Sequence, residues 1–195
     1  LGDPKTSSPA LPARGAYSPP AGSGDAPKGV LVLRASYTDR GANGMAPVTK
    51  GTDLVLRSPT VVVANGVLSE GIQKSTVEGI PVEVTVVNRS GSSVALKQID
   101  MTNVGAVTFL ASAPNQYHAI GGTIEVHLDS STGTLLGETE AIHPTDGQTP
   151  ARFRVALQPT SGIHDVYFVF KNPDAKGDQL LLAVLTATFE PAASR

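Results

Sequence analysis

The sequence predicts an all-β chain: a jelly-roll β-sandwich of two antiparallel sheets, preceded by a docked N-terminal hairpin and an extended Pro-rich arm. Three observations predict it. Short apolar runs recur at sandwich spacing, with turn chemistry between them. No stretch sustains apolar residues at i, i+3, i+4 and i+7, so almost no helix is expected. And 20 Gly with 15 Pro, against a charged fraction of 16%, describe many strands and turns rather than amphipathic helices. A hydrophobic share of 40% over 195 residues is ample for a sizeable core.

Residues 1–28 are rich in Pro, Gly, Ser and Ala. They cannot bury enough surface for a core, and each Pro removes a backbone donor, so they are predicted as an extended linker. Leu11 and Tyr17 are the side chains that could pin it along a neighbouring surface. Residues 29–57 predict a β-hairpin connector: a strand at 30–37, a long turn holding Asn43-Gly44 and Pro47, and a strand at 53–57. An isolated hairpin is marginal in water, so this one is expected to dock on the domain that follows.

Residues 58–195 carry the sandwich. Strands are predicted at 60–64, 82–87, 94–101, 106–111, 123–128, 135–140, 152–157, 164–170 and 180–189. Turns fall at Asn65-Gly66, at 88–91, at Asn103, Pro114-Asn115, Asp146-Gly147 and Pro173-Asp174. The clearest strand is 123–128, where Ile124, Val126 and Leu128 alternate with Glu125, His127 and Asp129, apolar on one face and polar on the other. In 163–170 Val166, Phe168 and Phe170 sit with Tyr167 and Val169 between them, a run buried on one face and partly covered on the other.

Several function classes are disfavoured by what is missing. Net charge is −2 with no basic block, so nucleic acid and anionic membrane surfaces are not expected partners. There is no apolar run of about 18 residues, hence no predicted membrane span. With no Cys there are no disulfides and no thiolate metal sites. The chain starts at Leu1 rather than Met, which suggests a processed polypeptide, and its Cys-free, Thr/Ser/Gly/Val-rich composition suits an exported bacterial protein. The four His (His118, His127, His143 and His164) lie on separate predicted elements. Neither a Gly-x-Ser-x-Gly elbow nor a phosphate loop occurs, so the chain is read as non-catalytic, without cofactor or metal. Asn88-Arg89-Ser90 is a formal glycosylation sequon and is read as a polar turn.

Three segments carry a family resemblance: GGTIEVHLDS at 121–130, TGTLLG at 132–137 and GIHDVYFVF at 162–170. Together they resemble the second half of a family 6 carbohydrate-binding module, a jelly roll appended to secreted bacterial sugar-processing enzymes. The resemblance spans about residues 59–190. It implies a loop-end sugar site with an aromatic before the strand at 94–100, a second aromatic from neighbouring loops, and an Asn from the last strand. Here Ser93 stands at the first place. The family's FNLDW pattern is met by LAVLT at 182–186, so that Ala183 replaces the Asn and Thr186 the Trp. The resemblance also implies a structural calcium held by an early Glu and a late Asp; those places are Ala64 and Leu185, and loss of the ion is expected.

What remains near the loop end is Tyr117, His118, Asn115 and Asn172, with Gln116, Asp174 and Lys176 close by. Tyr117, His118, Asn115 and Asn172 are the candidate carbohydrate-binding residues, since a sugar needs a flat ring to stack on and directional polar groups around it. Glu125 and His127 share a strand's polar face and are read as solvated; His164-Asp165 is read as a structural turn.

A second resemblance concerns VLRASYTDRGANG at 32–44 and LVLRSP at 54–59. These look like a connector that follows a c-type cytochrome domain in secreted multidomain bacterial proteins, often with a quinoprotein sugar dehydrogenase upstream. No Cys-x-x-Cys-His occurs, so no haem is expected on this chain. Two functions follow. One is a structural or assembly module in a periplasmic or extracellular complex, with sugar and calcium positions degenerate, packing on a cytochrome or quinoprotein dehydrogenase or on its own copies. The other is an active carbohydrate-binding module that targets a sugar dehydrogenase or glycoside hydrolase to polysaccharide.

Overall fold

A computed structural model describes residues 30–41, 44–147 and 149–193. The Pro-rich arm at 1–28 lies outside the described residues. The chain divides into two compact units, 1–58 and 59–195.

In the first unit β1 (Val30–Thr38) and β2 (Thr49–Arg57) pair antiparallel in unbroken register from Val30↔Arg57 to Thr38↔Thr49. Arg34 lies directly opposite Asp53, and its Nε and Nη2 donate to the two carboxylate oxygens at 2.8 Å each. This is the bidentate geometry a guanidinium favours. At the turn the Asp39 carboxylate accepts from the amides of Gly41 and Val48, which fixes where the two strands reverse.

The second unit is the sandwich. Its strands are β3 (Thr60–Val62), β4 (Val67–Leu68), β5 (Ile72–Ser75), β6 (Val84–Val87), β7 (Ser93–Asp100) and β8 (Val104–Ser112). They continue with β9 (Thr123–Leu128), β10 (Leu135–Glu138), β11 (Ala151–Ala156), β12 (Ile163–Lys171) and β13 (Leu182–Pro191). One sheet has the order β10-β9-β12-β7-β4; the other has β11-β8-β13-β6-β5, with β3 also pairing β13. All these pairings are antiparallel.

Alternation explains the core. Ile124, Val126 and Leu128 from β9 and Val166, Phe168 and Phe170 from β12 meet Val107, Phe109 and Ala111 from β8 and Val184 and Ala187 from β13, all buried. A fully buried Phe or Ile side chain contributes roughly 1.5–3 kcal/mol by leaving water, so this two-sheet contact is the main stabilising term.

The jelly roll expected from the sequence is the fold observed, with local differences. The predicted strand at 60–64 stops at Val62 and turns into a 3-10 segment, Val63–Asn65, that packs on β6 and β13. The predicted 82–87 strand begins only at Val84. Two short strands, β4 and β5, were not expected, and a 3-10 turn, Asn115–Tyr117, opens the β8–β9 loop. β13 carries a register shift between Val184 and Thr186, where it passes from β6 to β3.

Candidate functional site

The register places the loops 69–71, 88–92, 113–122, 139–147 and 172–181 at one end of the sandwich. Backbone bonds tie them together: Asn88 N to Gly71 O, Gly91 N to Phe170 O, Asn115 N to Thr145 O and Gly121 N to Leu181 O. This is the end where the resemblance puts a sugar cleft.

All four candidate residues lie here, but they do different things. Tyr117 closes the 3-10 turn and shows 58% of its surface to solvent. His118 follows it in the left-handed region at φ 57°, also exposed. Asn115 donates its Nδ2 to Asp146 Oδ1 at 2.7 Å and so joins two loops. Asn172 donates its Nδ2 to the carbonyls of Gly121 and Ile120 at 3.0 and 3.3 Å, and its Oδ1 accepts from the Asp174 amide. The approach depends on Gly122, at φ 149°, where a Cβ would stand 2.4 Å from the Lys171 carbonyl. Tyr117 and His118 are therefore exposed to solvent, whereas the two amides are engaged in holding loops.

The floor of this end is closed. Ser93, where an aromatic is expected, and Ser92 beside it are only 8% and 4% exposed. The 69–71 turn lies over them: Ser92 Oγ donates to Glu70 O at 2.6 Å, and Ser69 Oγ accepts from the Ser93 amide at 2.7 Å. Arg89 straps the turn down. Its Nη1 is 2.9 Å from Glu70 Oε1 and its Nε donates to Asp178 Oδ1 at 2.8 Å, which spans the loops at 69–71 and 172–181. Asp178 first and Glu70 second hold the guanidinium above its usual range, and Arg89 holds the Asp178 carboxyl below the ordinary carboxylate value. No sequence signal marks this strap, because its three charges are far apart along the chain.

On the outer face of the five-stranded sheet Leu135, His127, Tyr167, Ala95 and Val67 form one cross-strand row. His127, expected to be solvated, is 8% exposed: its Nε2 is 2.9 Å from Glu125 Oε2 and its Nδ1 is 3.0 Å from Gly133 O. It is removed from water because β10 and the β9–β10 turn stand beside it. Lys97 Nζ lies 5.3 Å from the Tyr167 ring centroid and 2.7 Å from Asp165 Oδ2.

The places that the resemblance assigns to a calcium ion do not suit one. Ala64 and Leu185 are buried and apolar. The buried orphan oxygen among the described residues is Thr85 Oγ1, a single neutral group, whereas a hard cation takes about six to eight oxygens. Among the described residues no three His, Asp or Glu side chains gather to hold a metal. No helix among them is long and apolar enough to cross a membrane.

The sequence model described as "Carbohydrate binding module (family 6)" matches residues 64–181. An arabinoxylan arabinofuranohydrolase of Paenibacillus polymyxa is 31% identical over 130 residues, covering 66% of this chain and 19% of that protein. A Bacillus subtilis (strain 168) protein of the same description is 35% identical over 101 residues, 50% of this chain and 19% of its own length. The chain thus spans about a fifth of the curated relatives it matches. Among solved structures, a family 6 module from Clostridium cellulolyticum in complex with xylose superposes with a TM-score of 0.58 at 27% identity, over 69% of this chain and 99% of that one. A β-1,3-glucan-binding family 6 module from Bacillus halodurans gives 0.56 at 24% identity, over 67% and 93%, a likeness of fold.

Proposed function

The chain belongs to carbohydrate-binding module family 6, and on that premise we propose that it is a non-catalytic accessory module of a larger secreted protein whose loop end no longer grips a sugar in the family's manner. Its role is then structural: it holds neighbouring domains or chains in an extracellular or periplasmic assembly. The observation that carries this reading is the closed floor at Ser92 and Ser93. A sugar site of this kind draws much of its weak affinity from stacking on a flat ring, and a serine buried under the 69–71 turn offers none. Ala183 on β13 stands where the family's last strand supplies an Asn, so that polar partner is missing as well. The partner we propose is a c-type cytochrome or quinoprotein dehydrogenase, on the connector resemblance of residues 32–59; self-assembly is the other form of the same role.

One observation favours a second reading. Tyr117, 58% exposed and beside His118, presents a ring at the rim of the same end. Stacked there, a polysaccharide would make this an active module that targets an associated sugar dehydrogenase or glycoside hydrolase.

Affinity electrophoresis separates the two. The panel is arabinoxylan, β-1,3-glucan and soluble cellulose derivatives, the first because of the enzymes similar to this chain. Unretarded migration on all of them is expected. Retardation that Tyr117→Ala abolishes would replace the structural reading with the second.

A further inference from the structure

The turn between β9 and β10 is held from both sides by an imidazole. On one side His127 Nδ1 stands 3.0 Å from Gly133 O. On the other, His164 Nδ1 lies 3.1 and 3.2 Å from the two carboxylate oxygens of Asp129, which has the left-handed φ of 63°. The Asp129 amide donates to Asp165 O at 2.7 Å, so β9 and β12 remain joined past the end of their ladder. The second nitrogen of His164 is also engaged: Nε2 is 3.1 Å from the Ser161 carbonyl, in the loop before β12.

Both nitrogens of His164 therefore face acceptors. A neutral imidazole carries one N–H and can donate to one of them; the imidazolium donates to both. The remaining charged groups nearby are committed elsewhere. On β12, Asp165 takes Lys97 Nζ and the Gln98 amide of β7. On β7, Asp100, paired with Ile163, accepts from the Thr102 amide. Asp129 is the carboxylate left to face the ring.

We infer that His164 is a pH-dependent clasp, whose imidazolium ties the β9–β10 turn and the 157–162 loop to the head of β12 and whose deprotonation releases one of the two. In support, the Asp129 hydrogen bond first and the Ser161 carbonyl second hold the imidazole above its ordinary value of 6.5. The sign follows. The clasp is complete below the unfolded value and is lost as pH rises through the raised folded one. The loop it releases has a second anchor, Gly162 N to Thr102 Oγ1 at 3.1 Å, and the turn keeps His127, so the opening is local. The module's sheet end is then tighter in acidic than in alkaline surroundings.

The test is an NMR titration of the full chain from about pH 5 to about pH 9, following the His164 ring and the Asp129, Ser161 and Gly162 amides. These amides are expected to move with the His164 midpoint, and that midpoint to lie above the ordinary imidazole value of 6.5 and to fall in Asp129→Asn. In His164→Gln, which cannot titrate, the amide steps should vanish. A His164 midpoint at or below that ordinary value, or amides that ignore it, overturns the inference. The wild-type titration alone decides it should a variant not fold.

Discussion

Phe109 on β8 and Phe168 on β12 meet edge to face across the two sheets, ring centroids 4.8 Å apart and planes at 86°. Both are fully buried, and Phe189 of β13 leans on Phe168 at 6.4 Å. The pair is one of the contacts by which the sheets hold each other. Phe168→Ala should destabilise the sandwich by about 3–5 kcal/mol, from lost transfer energy plus the cavity left behind. A double-mutant cycle with Phe109→Leu should return a coupling of about 0.5–1.5 kcal/mol in urea unfolding. A loss under about 1 kcal/mol for Phe168→Ala would mean that the sheets are held mainly elsewhere.

Thr85 lies in the middle of β6, buried, with no hydrogen-bond partner for its hydroxyl among the described residues. A buried orphan hydroxyl costs about 1–3 kcal/mol of desolvation, and valine has the same shape without it. Thr85→Val should therefore raise the urea midpoint, by about 1 kcal/mol of stability. A lowered midpoint would show that the hydroxyl has a partner in solution.

The fold was legible where alternation is long and unambiguous. β9 and β12 announce themselves, because every second residue from Ile124 to Leu128 and from Val166 to Phe170 is apolar and buried. β4 and β5 were not legible. The two residues of one and the four of the other are too short to show a period, and Gln73 and Lys74 read as a loop although they pair with β6. Of the candidate site, Ser93, where the resemblance implies an aromatic, could be read directly. The strap above it could not, since Glu70, Arg89 and Asp178 come together only through the fold. Asn172 marks another limit, because an amide that bonds a carbonyl looks in sequence like one that bonds a sugar.

Calcium should leave this sandwich unmoved. At Ala64 and Leu185 the chain presents buried methyl groups in place of carboxylates, and an ion that binds only the folded state raises its stability only if ligands exist there. Scanning calorimetry with excess EDTA and with added calcium should give the same Tm within about 1 °C, less than the shift that ~1 kcal/mol would cause. A calcium-dependent rise in Tm would show that other oxygens form a site.

On the acid side the sandwich should weaken through Asp165. This carboxylate receives Lys97 Nζ at 2.7 Å and the Gln98 amide at 3.1 Å, and so caps the irregular stretch of β7 where Gln98 has φ 54°. Lys97 first and the Gln98 amide second hold its pKa below the ordinary carboxylate value of 3.8. A group depressed in the folded state contributes stability above its unfolded pKa and loses it as pH falls through the folded one. Asp165→Asn should thus be less stable than wild type near neutrality, with the gap closing as pH drops below about 4. The neutral part of the gap should also shrink in high salt, since the Lys97 side chain is half exposed and the ion pair is screened. Urea midpoints of both proteins across that range measure the gap, and a difference that stays constant into acid would assign the loss to packing rather than to the charge.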